Sequence, residues 1–311
     1  MTVHWHVAGA GAIGGYFAHQ LRRYGCDVTL LTHRPSDGTR ALTLETGENI
    51  ETLLFPECPI GQSGRIDHLL ITTKAFQVTE VFDALVSALA PDATVLIMVN
   101  GLSWLQSIET TRHPVQVCAG TTTTGCYRSN RDHIHRAGLG ATQVGHLSAH
   151  KAMMEKPPPG IAELLRSTPD SYWSTDIRSI LFNKLAINCA INPLTALYNV
   201  NNGGLLEGSL NDEFHSVIEE TRTIFSALGY TGVATDLGQK AITVARQTAA
   251  NTSSMCADFN ARRRSELEDI LGYLLDTLKP EAASEVDTPH LDQLLFALRE
   301  KEAPYAKRPT P

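Results

Sequence analysis

The residues best suited to chemistry in this sequence lie in two polar stripes and one glycine-rich turn. Lys184, Asn188 and Asn192 recur every four residues within KLAINCAINP, so on a helix they share one face. Their neighbours are Leu, Ile, Ala and Cys. A Lys and two amides in so apolar a helix either form a solvated stripe or line a polar cleft. The apolar flanks favour the cleft, since buried polar groups cost stability unless they find partners. An ammonium placed there can stabilise a developing oxyanion and hand it a proton. The second stripe, Asn251, Ser254, Asp258, Arg262 and Glu266, steps by three, four, four and four residues, the spacing of one face of one helix. It fits an exposed surface with an Asp258 to Arg262 ion pair as well as it fits a lining of amide, hydroxyl and carboxylate groups.

The turn is Gly9-Ala10-Gly11-Ala12-Ile13-Gly14, a G-x-G-x-x-G between a strand-like Val3–Val7 and a helical Gly11–Tyr24. Gly9 permits the tight turn, Gly11 lets backbone approach a pyrophosphate, and Gly14 allows close helix–strand packing. The helix N-terminus then offers N–H donors to the phosphates. A glycine-rich turn without a ligand is the bland alternative, but strand, motif and helix stand in the order a dinucleotide needs. The next strand ends Leu30-Leu31-Thr32-His33-Arg34 with no acid to hold the ribose hydroxyls of NAD. Arg34 can instead pair with a 2′-phosphate, which favours NADPH, although a solvated surface Arg would look the same. Lys74, after Thr72-Thr73, stands where it could serve the same phosphate or remain an ordinary exposed Lys. Asn100-Gly101 closes another apolar strand, where an amide and a Gly suit a close approach to cofactor or substrate.

The elements that must position these residues fall into two halves. Strand-like Val3–Val7, Asp27–Leu31, Leu69–Thr73 and Thr94–Val99 alternate with helical Gly11–Tyr24 and Val78–Leu89, which predicts a doubly wound α/β domain with a parallel sheet. Val115–Ala119, His133–His135 and Ala141–Val144 read as further strands that finish the sheet in a more antiparallel manner. Lys156-Pro157-Pro158-Pro159-Gly160 breaks the pattern as a loop. Beyond Asp176, Ile177–Leu197, Asn211–Leu228, Asp236–Thr248 and Met255–Leu278 carry apolar residues at helical spacing, and Pro289–Glu302 reads as a last helix. The expected domains are therefore 1–174, α/β, and 175–311, all-α.

Composition narrows the function further. Lys and Arg number 26 against 33 Asp and Glu, a net charge of −7, which argues against a nucleic-acid partner. An acidic small molecule remains possible through a few placed cations. No run of about 18 apolar residues occurs, and the opening MTVHWHVAGAGAIGG lacks a charged segment ahead of an apolar one, so a soluble cytoplasmic protein with no membrane partner is expected. The six cysteines form no C-x-x-C pair. His4 with His6, and His133 with His135, would each share a strand face, but no carboxylate or Cys accompanies either pair in sequence, and no metal is expected.

Taken together, GAGAIGG at Gly9–Gly15, TKA at Thr73–Ala75, NG at Asn100–Gly101, GTTTTG at Gly120–Gly125, KLAINCAINPLTAL at Lys184–Leu197 and NTSSMCADFNARRRSELEDI at Asn251–Ile270 resemble the ketopantoate reductase (2-dehydropantoate 2-reductase) family. The resemblance runs from the first strand to the last helices. It implies a Rossmann-like N-terminal domain, an all-helical C-terminal domain with the active site between them, and NADPH-dependent reduction of 2-dehydropantoate to pantoate in the route to pantothenate and coenzyme A. By the same resemblance Lys184 is the proton donor to the C2 oxygen and Glu266 the active-site carboxylate. Asn100, Asn188, Asn192, Asn251 and Ser254 match substrate positions. Gly9, Ala10, Gly11, Ala12, Ile13, Gly14, Arg34, Lys74 and Asn100 fall on the NADP set. The chain departs from the family pattern at Asn183, before the lysine, and at Cys126-Tyr127. A paralogous reductase of another 2-oxo acid would keep Lys184, whereas a nucleotide sensor would keep the Gly motif and Arg34 without needing it. A homodimer through the helical domain is the weaker expectation.

Overall fold

Consecutive buried runs of Val, Leu and Ile make the central strands of the N-terminal half, and the fully buried Val7, Leu30, Leu70 and Leu96 mark their shared core. The computed structural model describes residues 2–34, 38–110, 113–147, 155–282 and 286–306. Its strands are β1 (His4–Ala8), β2 (Asp27–Thr32), β3 (Thr39–Thr46), β4 (Asn49–Pro59), β5 (Ile66–Ile71), β6 (Leu89–Ile97), β7 (Gln116–Thr122), β8 (Gly125–Arg128), β9 (His133–Gly138), β10 (Thr142–His146) and β11 (Ser171–Trp173). They form one mixed sheet in the order β11-β10-β7-β6-β5-β1-β2-β4-β3-β9-β8. The middle of the sheet is parallel from β7 to β4; β10 lies antiparallel beside β7, and β11, parallel to β10, forms that edge.

Helix α1 (Ala12–Tyr24) follows β1 and ends at Gly25, whose φ of 101° is the left-handed cap that Gly adopts without strain. Chain order reverses at β1, which is flanked by β2 on one side and β5 on the other. The carboxyl ends of these three parallel strands therefore meet at a switch point, where open α/β sheets bind ligands. The expected helix Val78–Leu89 is shorter: α2 (Val78–Leu85) gives way to a 3₁₀ turn, and β6 starts at Leu89. Two short helices, α3 (Leu105–Glu109) and α4 (Ile161–Ser167), complete this unit, the latter following the proline run. The hairpin β3–β4, not foreseen from the sequence, turns at Gly47-Glu48, with Gly47 at φ 64°.

The chain divides into two units, Met1–Val99 with Trp104–Ile180, and Asn100–Ser103 with Leu181–Pro311. The second unit is helical: most of α5 (Ile177–Tyr198), then α6 (Gly208–Ala227), α7 (Thr231–Gln247), α8 (Ser254–Asn260), a π-helical stretch Glu268–Leu278, and α9 (Pro289–Glu302). Phe182, Phe214, Phe225, Leu271 and Leu274 are buried in it. Among the described residues α5 alone is long and apolar enough, by length and composition, to cross a membrane. Two-thirds of its most apolar window (67%) is buried inside the protein, as in a core helix.

One expected helix is not continuous. Met255–Leu278 is interrupted after Asn260, where Arg262 takes φ 50° and the N–H groups of Arg262 and Arg263 bond to the carbonyls of Phe259 and Asp258 at 3.0 and 2.9 Å. That pair of bonds is a Schellman cap, with Arg in the position Gly usually takes. The helical path resumes only at Leu267.

Candidate active site

The glycine motif forms a turn whose tightness can be read atom by atom. Gly9 has φ 95°, and a Cβ there would lie 2.6 Å from the backbone nitrogen of Thr73. A Cβ on Gly14 would lie 2.3 Å from both the Gly9 carbonyl oxygen and Thr72 Oγ1. Thr72 Oγ1 donates to that same carbonyl at 2.8 Å, which locks the end of β5 to the turn after β1. Gly11 differs, because a Cβ there would find nothing nearer than 3.8 Å. Packing does not demand that glycine, and the open space beside its backbone is the cradle a pyrophosphate would fill. The first turn of α1 holds no acid to oppose an anion. Ala10, Gly11, Ala12 and Ile13 are only partly buried, so the cradle is reachable. The residues present thus fit a dinucleotide.

Around this turn stand the other residues expected to hold a nucleotide. Arg34 lies two residues past β2, exposed, with its N–H on Thr32 Oγ1 at 3.1 Å. Lys74 follows β5 and caps a 3₁₀ turn, Ala75–Gln77, its N–H donating to Gln77 Oε1 at 3.3 Å. A carboxylate, Glu57, comes beside β2 through the β4 register opposite Leu30, but it lies within 3.8 Å of Arg40 and 3.6 Å of Arg131. The two departures from the family pattern also find places. Cys126 and Tyr127 are strand residues of β8 paired with β9.

In the helical unit Lys184, Asn188 and Asn192 occupy one face of α5, as their spacing predicts. Lys184 is partly buried, and desolvation pulls its ammonium down from 10.5 to about 8, opposed by attraction to the Glu266 carboxylate. Glu266 is itself buried. Asn183 is not on this face: its side-chain oxygen accepts from Lys240 Nζ at 2.9 Å.

The second stripe is not one face of one helix, because the cap at Arg262 ends α8. Asn251 precedes that helix, its main chain bonded to Asn202 (3.0 Å from the Asn202 N–H to the Asn251 carbonyl), and Glu266 follows the break. Asp258 forms an ion pair with Arg263 at 3.0 Å. The helix cap is Ser253, whose buried hydroxyl accepts from the Cys256 N–H at 3.1 Å and lies 2.7 Å from Thr195 Oγ1. Capping by Ser253 leaves the adjoining Ser254 exposed at the start of α8.

Asn100 belongs with the helical unit, and an acid that sequence reasoning missed fixes its loop. Gly101 has φ 75°, and a Cβ there would lie 2.6 Å from Asp269 Cβ and from the Asp269 carbonyl oxygen. The Leu102 N–H donates to that carbonyl at 2.9 Å, and Ser103 Oγ donates to Asp269 Oδ1. Asp269 Oδ2 is buried without a hydrogen-bond partner. Burial raises the Asp269 carboxyl from 3.8 to about 6, only partly offset by the Ser103 hydroxyl. The folded protein therefore binds a proton here that the unfolded chain releases. Its stabilising effect is complete below pH 3.8 and lost as pH rises through about 6. Asp269→Asn removes the ionisation at nearly constant shape. The stability difference, variant minus wild type, is expected to grow by on the order of 2–3 kcal/mol between pH 4 and pH 7.5. Parallel curves in urea titrations at the two pH values would show that Asp269 is not the group responsible.

The family model described as ketopantoate reductase PanE/ApbA matches residues 5–149, and its C-terminal counterpart matches residues 176–302. A 2-dehydropantoate 2-reductase of Vibrio cholerae is 31% identical over 277 residues, which covers 86% of this chain and 88% of that one. The crystal structure of a probable 2-dehydropantoate 2-reductase from Bacillus subtilis superposes with a TM-score of 0.78 at 25% identity, covering 96% of this chain and all of that one. A D-mandelate dehydrogenase in ternary complex with NADH and anilino(oxo)acetate shares the fold, with a TM-score of 0.84 at 20% identity over 97% of this chain and 99% of that one.

Proposed function

The chain belongs to the ketopantoate reductase family, whose members are pyridine-nucleotide oxidoreductases, and from that premise we propose that it reduces 2-dehydropantoate to pantoate with NADPH. The observation that carries the proposal is Lys184: an ammonium brought to about 8 by desolvation, beside a buried carboxylate, on a helix face shared with two amides. The glycine turn after β1 would hold the nicotinamide cofactor, which when bound would supply the hydride for C2 of the substrate. Lys184 donates its proton to the C2 oxygen and stabilises the charge that develops there. Its lowered pKa matters because a proton donor works best when its pKa is near the working pH. Glu266 holds Lys184 in its protonated state against the desolvation that would strip it, and accepts a hydrogen bond from the substrate hydroxyl. Asn100, Asn188, Asn192 and Asn251 orient the substrate through their amides, and the exposed Ser254 hydroxyl receives its carboxylate. Arg34 and Lys74 take the 2′-phosphate end of the cofactor.

Initial rates followed by nicotinamide absorbance, with 2-dehydropantoate and a panel of other 2-oxo acids, each with NADPH and with NADH, test this reading. Fast oxidation of NADPH confined to 2-dehydropantoate is the expected result. Turnover only with a different 2-oxo acid would leave the reaction class standing and overturn the substrate. No turnover with any of them would overturn both.

A further inference from the structure

Away from the residues used in this reaction, one face of the sheet carries two imidazoles and a carboxylate gathered on one another. In β9, His133 and His135 flank Ile134, which is fully buried against the position of Gly15 in α1. Alternation along the strand therefore turns both imidazoles to the other face. The parallel register of β3 with β9 sets Glu45 opposite His135. The sequence separates Glu45 from His133 by 88 positions, so no local spacing announces the group.

The donor atoms lie close enough together to meet on one ion. Glu45 Oε2 lies 3.1 Å from His133 Nε2 and 3.2 Å from His135 Nδ1, and the donor atoms of the three residues all lie within 4.8 Å of one another. Ligands about 2.0–2.2 Å from a tetrahedral ion stand roughly 3.4 Å apart, so the two distances to Oε2 need change by only a few tenths of an ångström, while the two imidazole nitrogens, which lie within 4.8 Å of each other, are brought to that spacing by rotation of the rings. The two rings are stacked in parallel, 4.4 Å apart with planes 3° from each other, and Tyr127 stacks on His135 at 4.8 Å, so the more exposed His133 ring must turn out of the stack to bring its in-plane lone pair onto the same ion as His135. The far nitrogen of His135, Nε2, is 2.8 Å from Ser129 Oγ. A metal-bound imidazole needs such a partner on its second nitrogen to fix tautomer and orientation. All three side chains are partly buried, with exposures of 33, 29 and 18% for Glu45, His133 and His135, which leaves access for an ion from solvent.

We propose that Glu45, His133 and His135 bind one divalent transition-metal ion of the nickel, copper and zinc group, with Ser129 as the positioning residue for His135. Two imidazoles and one carboxylate suit these borderline ions rather than calcium or magnesium, which prefer all-oxygen shells. The ion bridges β3 to β9 and clips together two strands distant in sequence, stabilising the native state by mass action.

The test uses the tag-free 311-residue chain with its accessible thiols alkylated in the native state, the buried Cys26, Cys118, Cys189 and Cys256 being out of reach of an added ion. Calorimetric titration with Ni²⁺ is expected to give one equivalent bound. Binding should weaken by at least about tenfold in His133→Ala and in His135→Gln, and by a smaller factor in Ser129→Ala. Ni²⁺ should raise the thermal midpoint of the wild type but not of the His variants. Cu²⁺ loaded into the wild type at one equivalent should show nitrogen couplings from two imidazoles in its electron paramagnetic resonance spectrum, a readout that needs no variant to fold. Unchanged binding in His135→Gln, or a copper spectrum without coupling to two nitrogens, would overturn the assignment.

Discussion

Lys184→Ala is expected to lower kcat for 2-oxo acid reduction by about three orders of magnitude while leaving NADPH affinity nearly unchanged. In the proposed mechanism the loss combines two effects of one ammonium: proton delivery to the C2 oxygen and stabilisation of the charge on that oxygen before the proton arrives. The pH dependence separates this role from a merely structural one. Desolvation brings Lys184 to about 8, so the wild-type reductive rate should be level below that pH and fall above it as the donor deprotonates. Oxidation of the hydroxy acid needs the neutral amine and should show the opposite limb, rising through the same pH. Both limbs should vanish in the Ala variant. Lys184→Arg adds a further check, since guanidinium keeps the charge but does not give up its proton in this range. It should recover substrate binding better than turnover. An Ala variant with wild-type kcat, or an unmoved pH limb, would remove Lys184 from the mechanism.

The stripe that carries Lys184 was legible because α5 runs unbroken from Ile177 to Tyr198, even through Pro193, so four-residue spacing in sequence became one face in space. The second stripe was illegible for the converse reason. Its spacing continues to Glu266, but the chain leaves the helical path at Arg262, a residue type that gives no warning of a left-handed cap. Gly at that position would have been a signal. The β3–β4 hairpin escaped notice because its alternation is diluted by Thr and Glu, with Ile50 and Leu54 facing solvent. Asp269 could not be singled out either, because its partner Ser103 lies 166 positions away and only the fold brings them together. The same holds for Glu45 and the His133–His135 pair. What the chain reveals locally is periodicity and turn chemistry, while contacts across the sheet or between a loop and a distant helix depend on topology.

The proposed preference for NADPH rests on a smaller feature, the end of β2, and Arg34→Asp should expose it. The exposed Arg34 has no carboxylate following Thr32 in the described chain before it, and the nearby Glu57 is engaged by Arg40 and Arg131. A guanidinium that pairs with the 2′-phosphate contributes a charge-assisted, two-pronged hydrogen bond worth about 1.5–3 kcal/mol. Reversing its charge removes that attraction and adds repulsion between the new carboxylate and a phosphate that is itself anionic. The combined effect on kcat/KM for NADPH should be roughly a hundredfold loss. NADH has no phosphate at that position, so its kcat/KM should change by far less, and a carboxylate able to bond the ribose hydroxyls can even improve it. The ratio of the two specificity constants is thus the quantity to measure, at fixed ionic strength because part of the effect is long-range and screened by salt. A fall of equal size with both cofactors would mean that the substitution damages the nucleotide cradle as a whole. Discrimination would then have to be sought at Lys74, a second cation at the carboxyl edge of the parallel strands beside β1.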